Sequence, residues 1–250
     1  MPDNKDPFYV GYLPLPTALK SKVRAFIALG LLGAVAMAFV IAPRQQNPGD
    51  GQWDTSTKFA IEGHLTVDPY PILYVADPES PFGSRAVLLV SAMKFGAKEQ
   101  VAAFDGKKVR AEGHFITRGG RGIFEVSKDE GAVVVLSDES TRPRQESLGE
   151  HTLVGEITDS KCFLGVMKPG FGKTHRACAV RCISGGIPPI FVTRDDAGTA
   201  TVYLLTDTNH GAVNEAILPF VSEPVEISGK LERHGDLLVY AIDPTQVVRK

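Results

Sequence analysis

The run AFIALGLLGAVAMAFVIA, Ala25 to Ala42, carries no charged or strongly polar side chain, and it restricts the fold more than any other stretch. As a helix it rises about 27 Å, close to the ~30 Å hydrocarbon core of a bilayer, with Arg24 able to snorkel at its edge. It is apolar on every face, so it lacks the one-sided stripe by which a soluble helix packs on a core. A cleaved signal peptide competes with this reading. Against it stand the long proline-punctuated leader and an apolar run longer than the roughly 7–15 residues of a signal h-region. The expected element is an uncleaved transmembrane helix over residues 25–42, through which the chain meets the membrane.

The flanks orient it. Lys5, Lys20, Lys22 and Arg24 precede the span and only Arg44 closely follows it, so the positive-inside rule makes residues 1–24 a cytoplasmic tail and sends 43–250 across. In a Gram-negative bacterium this is a single-pass inner-membrane protein with its C-terminal domains in the periplasm, where thiols meet oxidising chemistry.

Beyond a polar linker at 43–56, apolar residues recur in strand-length groups: FAIEGHLTV, PILYVAD, AVLLVSA, KKVRAEGHFIT, GIFEVS and AVVVL. Gly, Pro, Asp and Ser separate them, and AKEQVAAF reads as one short helix. A second polar tract, 137–149, resets the pattern. The same order then returns as HTLVGEITDS, IPPIFVTRD, TATVYLLTD, EPVEISGKLERHG and DLLVYAI, with GAVNEAILPFV in the place of the short helix. This internal duplication predicts a mainly β protein: a transmembrane helix followed by two tandem OB-like barrels, 57–136 and 150–250. An unspecified β-sandwich fits the same periodicities. With 43% hydrophobic residues and a net charge of −2, the chain can fill normal cores. It shows no basic stripe interleaved with aromatics, so nucleic acid is not an expected partner.

The chemistry concentrates in Lys161 to Pro189. All three cysteines lie there, Cys162, Cys178 and Cys182, with His175, in the spacing C-x12-H-x2-C-x3-C. If 174–183 is helical, His175, Cys178 and Cys182 share one stripe, and the turn-forming KPGFG segment lets Cys162 fold back over it. The second barrel therefore carries a Cys/His-bearing helical insert. Thiolate and imidazole are ligands of zinc, copper, iron and iron–sulfur centres. A redox-active dithiol, or a structural disulfide from Cys162 to Cys178 or Cys182 stapling the loop of an interaction module, uses the same residues. Lys161, Lys173, Arg176 and Arg181, with Lys168, form an expected cationic rim that favours thiolate. Gly172-Lys173-Thr174 lacks the first glycine and the strand context of a P-loop. No nucleophile elbow or paired-carboxylate motif stands out; the lack of a motif does not by itself exclude catalysis, and the role expected from the Cys/His stretch is a non-enzymatic one.

At His175, Cys178, Ala179, Cys182, Gly186 and Pro188, the pattern H-x2-C-A-x2-C-x3-G-x-P resembles the signature of a largely uncharacterised family of exported bacterial small β-barrel proteins. Its members also carry an upstream cysteine before a glycine-rich loop, matched here by Cys162 and Gly165–Gly172. The resemblance covers about 150–248. It implies an exported location and makes the Cys/His stretch the signature, and it transfers no activity. The combined expectation is a membrane-anchored accessory protein whose second barrel binds a metal or redox centre beside a periplasmic or inner-membrane protein partner.

Overall fold

Short alternating apolar runs punctuated by Gly, Pro and Asp fold as antiparallel ladders only if each buries one face against another layer. The computed structural model, which describes residues 15–44, 49–138 and 143–250, shows how that is met. The chain divides into two compact units, 1–47 and 48–250.

The first unit holds α1 (Thr17–Ile41), twenty-five residues with no buried side chain. It begins eight residues ahead of the apolar run: Pro16 stands at its N-cap, and the good helix formers from Ala18 to Lys22 propagate it. The helix is long and apolar enough to cross a membrane, and a signal sequence near an N-terminus has the same properties. Lys20, Lys22 and Arg24 lie within it, whereas Lys5 lies outside the described residues.

The second unit opens with β1 (Gly51–Trp53), β2 (Phe59–Thr66), β3 (Ile72–Ala76) and β4 (Ser84–Val90). Then come α2 (Lys98–Val101), continued by a 3-10 turn, and β5 (Lys108–Arg118), β6 (Arg121–Val126) and β7 (Val133–Ser137). After it β8 (Gln145–Asp159) runs directly into the one-turn helix α3 (Ser160–Phe163). The chain continues through α4 (Arg176–Ser184), β9 (Pro189–Arg194), β10 (Ala200–Asp207), β11 (Pro224–His234), β12 (Leu237–Ile242) and β13 (Val248–Arg249).

Both halves are closed five-stranded barrels of the same topology. The first runs β2-β3-β4-β6-β5 and back to β2, the second β8-β9-β10-β12-β11 and back to β8. Each is closed by one parallel pair, β4 with β6 and β10 with β12. This is OB-type connectivity, repeated as the sequence halves repeat. Three local features differ from expectation. Gly51–Trp53, in the supposed linker, pairs with β5. β8 starts at Gln145, where 145–149 extend the ladder with β11. GAVNEAILPFV yields only a 3-10 turn, Leu218–Phe220, as expected where Pro219 supplies no donor.

Each barrel has its own core, around Leu65, Leu73, Val109 and Phe124 in the first and Ile157, Phe191, Leu205 and Tyr240 in the second. A third apolar cluster joins them. Tyr70, Ile72, Leu88 and Ile116 of the first barrel pack with Cys162, Cys182, Ile187, Leu204 and Val239 of the second. Polar contacts pin the same junction: Val213 N–H donates to the Tyr70 hydroxyl at 3.0 Å, and Ala86 N–H donates to Asp236 at 2.6 Å.

Candidate metal centre

The cysteines reach this junction because β8 ends in a capped turn. The Asp159 carboxylate accepts the Cys162 N–H at 2.8 Å, satisfying one orphan donor of α3 and fixing Cys162 where strand becomes helix. The following loop is held at both ends. Thr158 donates its hydroxyl to the Gly170 carbonyl at 3.0 Å, and Arg118 of β5 donates to the carbonyls of Gly165 and Met167 at 2.7 and 2.6 Å. The loop returns at His175, the N-cap of α4, which carries Cys178 and Cys182 one turn apart on one face.

The result is a triangle of sulfurs. Cys162 Sγ lies 3.8 Å from Cys178 Sγ and 3.9 Å from Cys182 Sγ, and all three sulfurs lie within 4.8 Å of one another. No pair is bridged, since a disulfide needs about 2.05 Å; the stapled-loop arrangement is not what the structure contains. Four ligands at ~2.3 Å around a tetrahedral zinc are separated by ~3.8 Å, so the observed spacing fits one shared ion. Cys162 and Cys182 are buried and Cys178 half-buried.

His175 belongs to an adjoining group. Its Nε2 is 2.9 Å from an Asp159 oxygen, both side chains are buried, and Asp159, Cys162 and His175 place ligand atoms within 4.8 Å of one another. Cys162 is thus common to both groups. Asp159 serves the Cys162 amide with one oxygen and the His175 ring with the other.

Of the expected cationic rim, Lys161, Arg176 and Lys168 are engaged with other partners. Lys161 points into the protein, is 7% exposed, pairs with Glu125 of β6, and donates to the carbonyls of Ser91 and Met93 at 2.8 and 2.9 Å. Arg176 is paired with Glu223 and donates to Pro219 O at 3.1 Å, while Lys173 and Arg181 are exposed. Lys168 pairs with Asp50 at 3.4 Å. Among the described residues, the ammonium hydrogen-bonded to sulfur is Lys94, from the first barrel: its Nζ is 2.7 Å from Cys178 Sγ and 3.7 Å from Cys182 Sγ.

The Lys94 loop seats on the end of α4 by close backbone approach. Gly96 N–H donates to Gly185 O at 2.9 Å. A Cβ on Gly185 would stand 1.9 Å from the Lys94 carbonyl, and one on Gly96 would stand 2.1 Å from the Gly186 carbonyl. Neither position accepts a side chain. The sequence marks Gly185-Gly186 only as a helix stop, which it also is, and gives Lys94 no distinguishing signal.

The electrostatics follow from the geometry. The Cys182 thiol is pushed down, first by the hydrogen bond it receives from Cys162, with the charge of Lys94 adding to the effect. Cys162 is pushed up, first by donating that hydrogen bond and then by burial. Lys94 is pushed up to about 12, led by its hydrogen bond to Cys178. The hydrogen bond from Cys162 and the charge of Lys94 thus favour the thiolate form at Cys182, which makes a soft donor set in an apolar wall.

No family model, curated protein or solved structure matches the chain.

Proposed function

We propose that this protein is a membrane-tethered accessory module that holds one thiophilic ion, zinc, copper(I) or iron, through Cys162, Cys178 and Cys182. The observation that carries this is the sulfur triangle with edges of 3.8 and 3.9 Å beside the Lys94 ammonium. Three thiolates around a divalent ion leave one net negative charge, and Lys94 offsets it without leaving the site. Asp159, through its two hydrogen bonds, sets the orientation of Cys162 and His175 and acts as an outer-shell partner.

The lysine and arginine residues ahead of the apolar run support an export orientation with both barrels in the periplasm. The resemblance of the His175-to-Pro188 pattern to exported small barrels points the same way. The role proposed is custody of the ion for a larger redox or metal-handling partner, since the site gathers three soft sulfur donors.

The test is metal titration of the reduced full-length chain in detergent. One Co²⁺ or Zn²⁺ per chain, with a thiolate-to-cobalt charge-transfer band that disappears in Cys178→Ser and Cys182→Ser, is the expected result. Reduced protein that binds no ion, or binds it equally well in both variants, overturns the reading.

A further inference from the structure

The contact between Lys94 and Cys178 joins residues from different barrels, and it has a geometry that ion pairing alone does not require. Sulfur is larger than oxygen, yet the Lys94 Nζ to Cys178 Sγ separation of 2.7 Å equals that of a charge-assisted N–H···O contact, about 2.7–2.9 Å. The lysine is held there from behind. Lys161 fixes the carbonyls of Ser91 and Met93 on one side, and Gly96 is bonded to Gly185 on the other. Met93, at the tip, adopts a left-handed backbone with φ of 62°, a conformation an unbranched non-glycine residue holds only when its surroundings fix it. Cys178 is also the one sulfur of the three that is half-exposed, and oxidation of thiols follows exposure and thiolate character.

We infer that Lys94 and Cys178 form a reversible covalent N–O–S linkage under oxidising conditions, making this pair a redox modification site of the metal centre. The co-reactant is molecular oxygen or a peroxide. With oxygen, two hydrogens leave the Lys94–Cys178 pair, both as N–H if the pair is ammonium and thiolate or one as N–H and one as S–H if it is neutral; the O–O bond breaks, and S–O and O–N bonds form. The second oxygen atom leaves as water with the two hydrogens. Sulfur and nitrogen each lose two electrons, and the oxygen molecule gains four. With a peroxide, two equivalents do the same work, and Cys178 passes through the sulfenic acid before nitrogen is joined. Two dithiol equivalents supply the four electrons and four hydrogens that restore the thiol, the amine and one water. The regulatory consequence rests on the metal-site reading above: the linkage withdraws one of three sulfurs, so oxidised protein releases its ion and reductant restores binding.

The experiment treats reduced, chelator-stripped full-length protein with dilute hydrogen peroxide or air and reads intact mass and peptide maps. The expected product gains one oxygen and loses two hydrogens, joins the Lys94 and Cys178 peptides, and reverts with dithiothreitol. It forms in Cys162→Ser and is absent from Lys94→Arg and Cys178→Ser. Loss of two hydrogens alone, which is a disulfide, or addition of whole oxygens alone, which is sulfenic or sulfinic acid, overturns the inference, as does the same product in Lys94→Arg. Zn²⁺ binding is measured on both forms, and the linked form is expected to bind at least about tenfold more weakly. Cross-linking in a reduced protein that binds no metal would sink the metal reading alone. Metal binding without cross-linking would sink this inference alone.

Discussion

The Gly96 amide of the first barrel donates a 2.9 Å hydrogen bond to the Gly185 carbonyl at the end of the cysteine helix in the second. Through this bond the placement of Lys94 depends on two positions that carry no side chain. Gly185→Ala introduces a methyl 1.9 Å from the Lys94 carbonyl, and backbone cannot give way as a flexible side chain can. The variant is expected to lose about 1–3 kcal/mol of stability, measured by the urea midpoint, and to bind Zn²⁺ more weakly as Lys94 moves off the sulfurs. Ala177→Gly, on the exposed face of the same helix, is the control: it costs about 1 kcal/mol or less and leaves metal affinity unchanged.

The buried pair Lys161 and Glu125 makes a second prediction. Their side chains are 7% and 11% exposed, so Glu125→Leu strands an ammonium between the barrels. A loss of about 3–5 kcal/mol is expected. Glu125→Leu combined with Lys161→Met removes the stranded charge and recovers part of that loss. Recovery is incomplete because the Ser91 and Met93 carbonyls lose their donor. Trp53, the sole tryptophan, has its ring 5.6 Å from Lys161 Nζ, and its fluorescence reports both steps. A double variant less stable than Glu125→Leu alone would contradict the assignment.

Metal affinity is expected to rise with pH. Binding takes thiolates, and Cys162 is pushed up by donating to Cys182 and by burial, so its proton must be displaced throughout the working range. Cys182 is pushed down by the same hydrogen bond, so above its lowered titration point it gives up no further proton on binding. The affinity should therefore climb by at least about tenfold per pH unit on account of Cys162, with at least one proton released per ion. Competition titrations between pH 6 and 8 check it, and a flat profile would show that Cys162 is not a ligand.

Asp159→Asn separates orientation from ligation. The variant keeps the shape of the side chain but removes the charge that holds the His175 ring, and one amide group cannot offer two acceptor oxygens to His175 and the Cys162 N–H. An affinity loss of about 10–100-fold is expected, smaller than the loss in any of the three cysteine variants.

Much of this was readable from residue order. Strand-length apolar runs and their recurrence gave two barrels, because the period of two and the Gly and Pro punctuation are local properties. The gathering of Cys162 with Cys178 and Cys182 was also readable, since the loop between them is rich in turn residues. What sequence does not display is contact across the junction. Lys94 lies 84 residues from Cys178 in an unremarkable loop, and its role exists only because two barrels pack together. Lys161 shows the reverse case: its neighbour Cys162 suggested a cation for the thiols, yet the turn of α3 sends it to Glu125. The helical period sets His175 on the stripe with the two cysteines, but it stands at the helix N-cap, where Asp159 claims its Nε2.

The apolar seam between the barrels sets the fate of the halves. If the polypeptide were cut between 138 and 143, Tyr70, Ile72 and Leu88 on one piece and Leu204, Val239 and the buried sulfurs on the other would face water. The pieces would re-associate through this shared wall rather than behave as free modules.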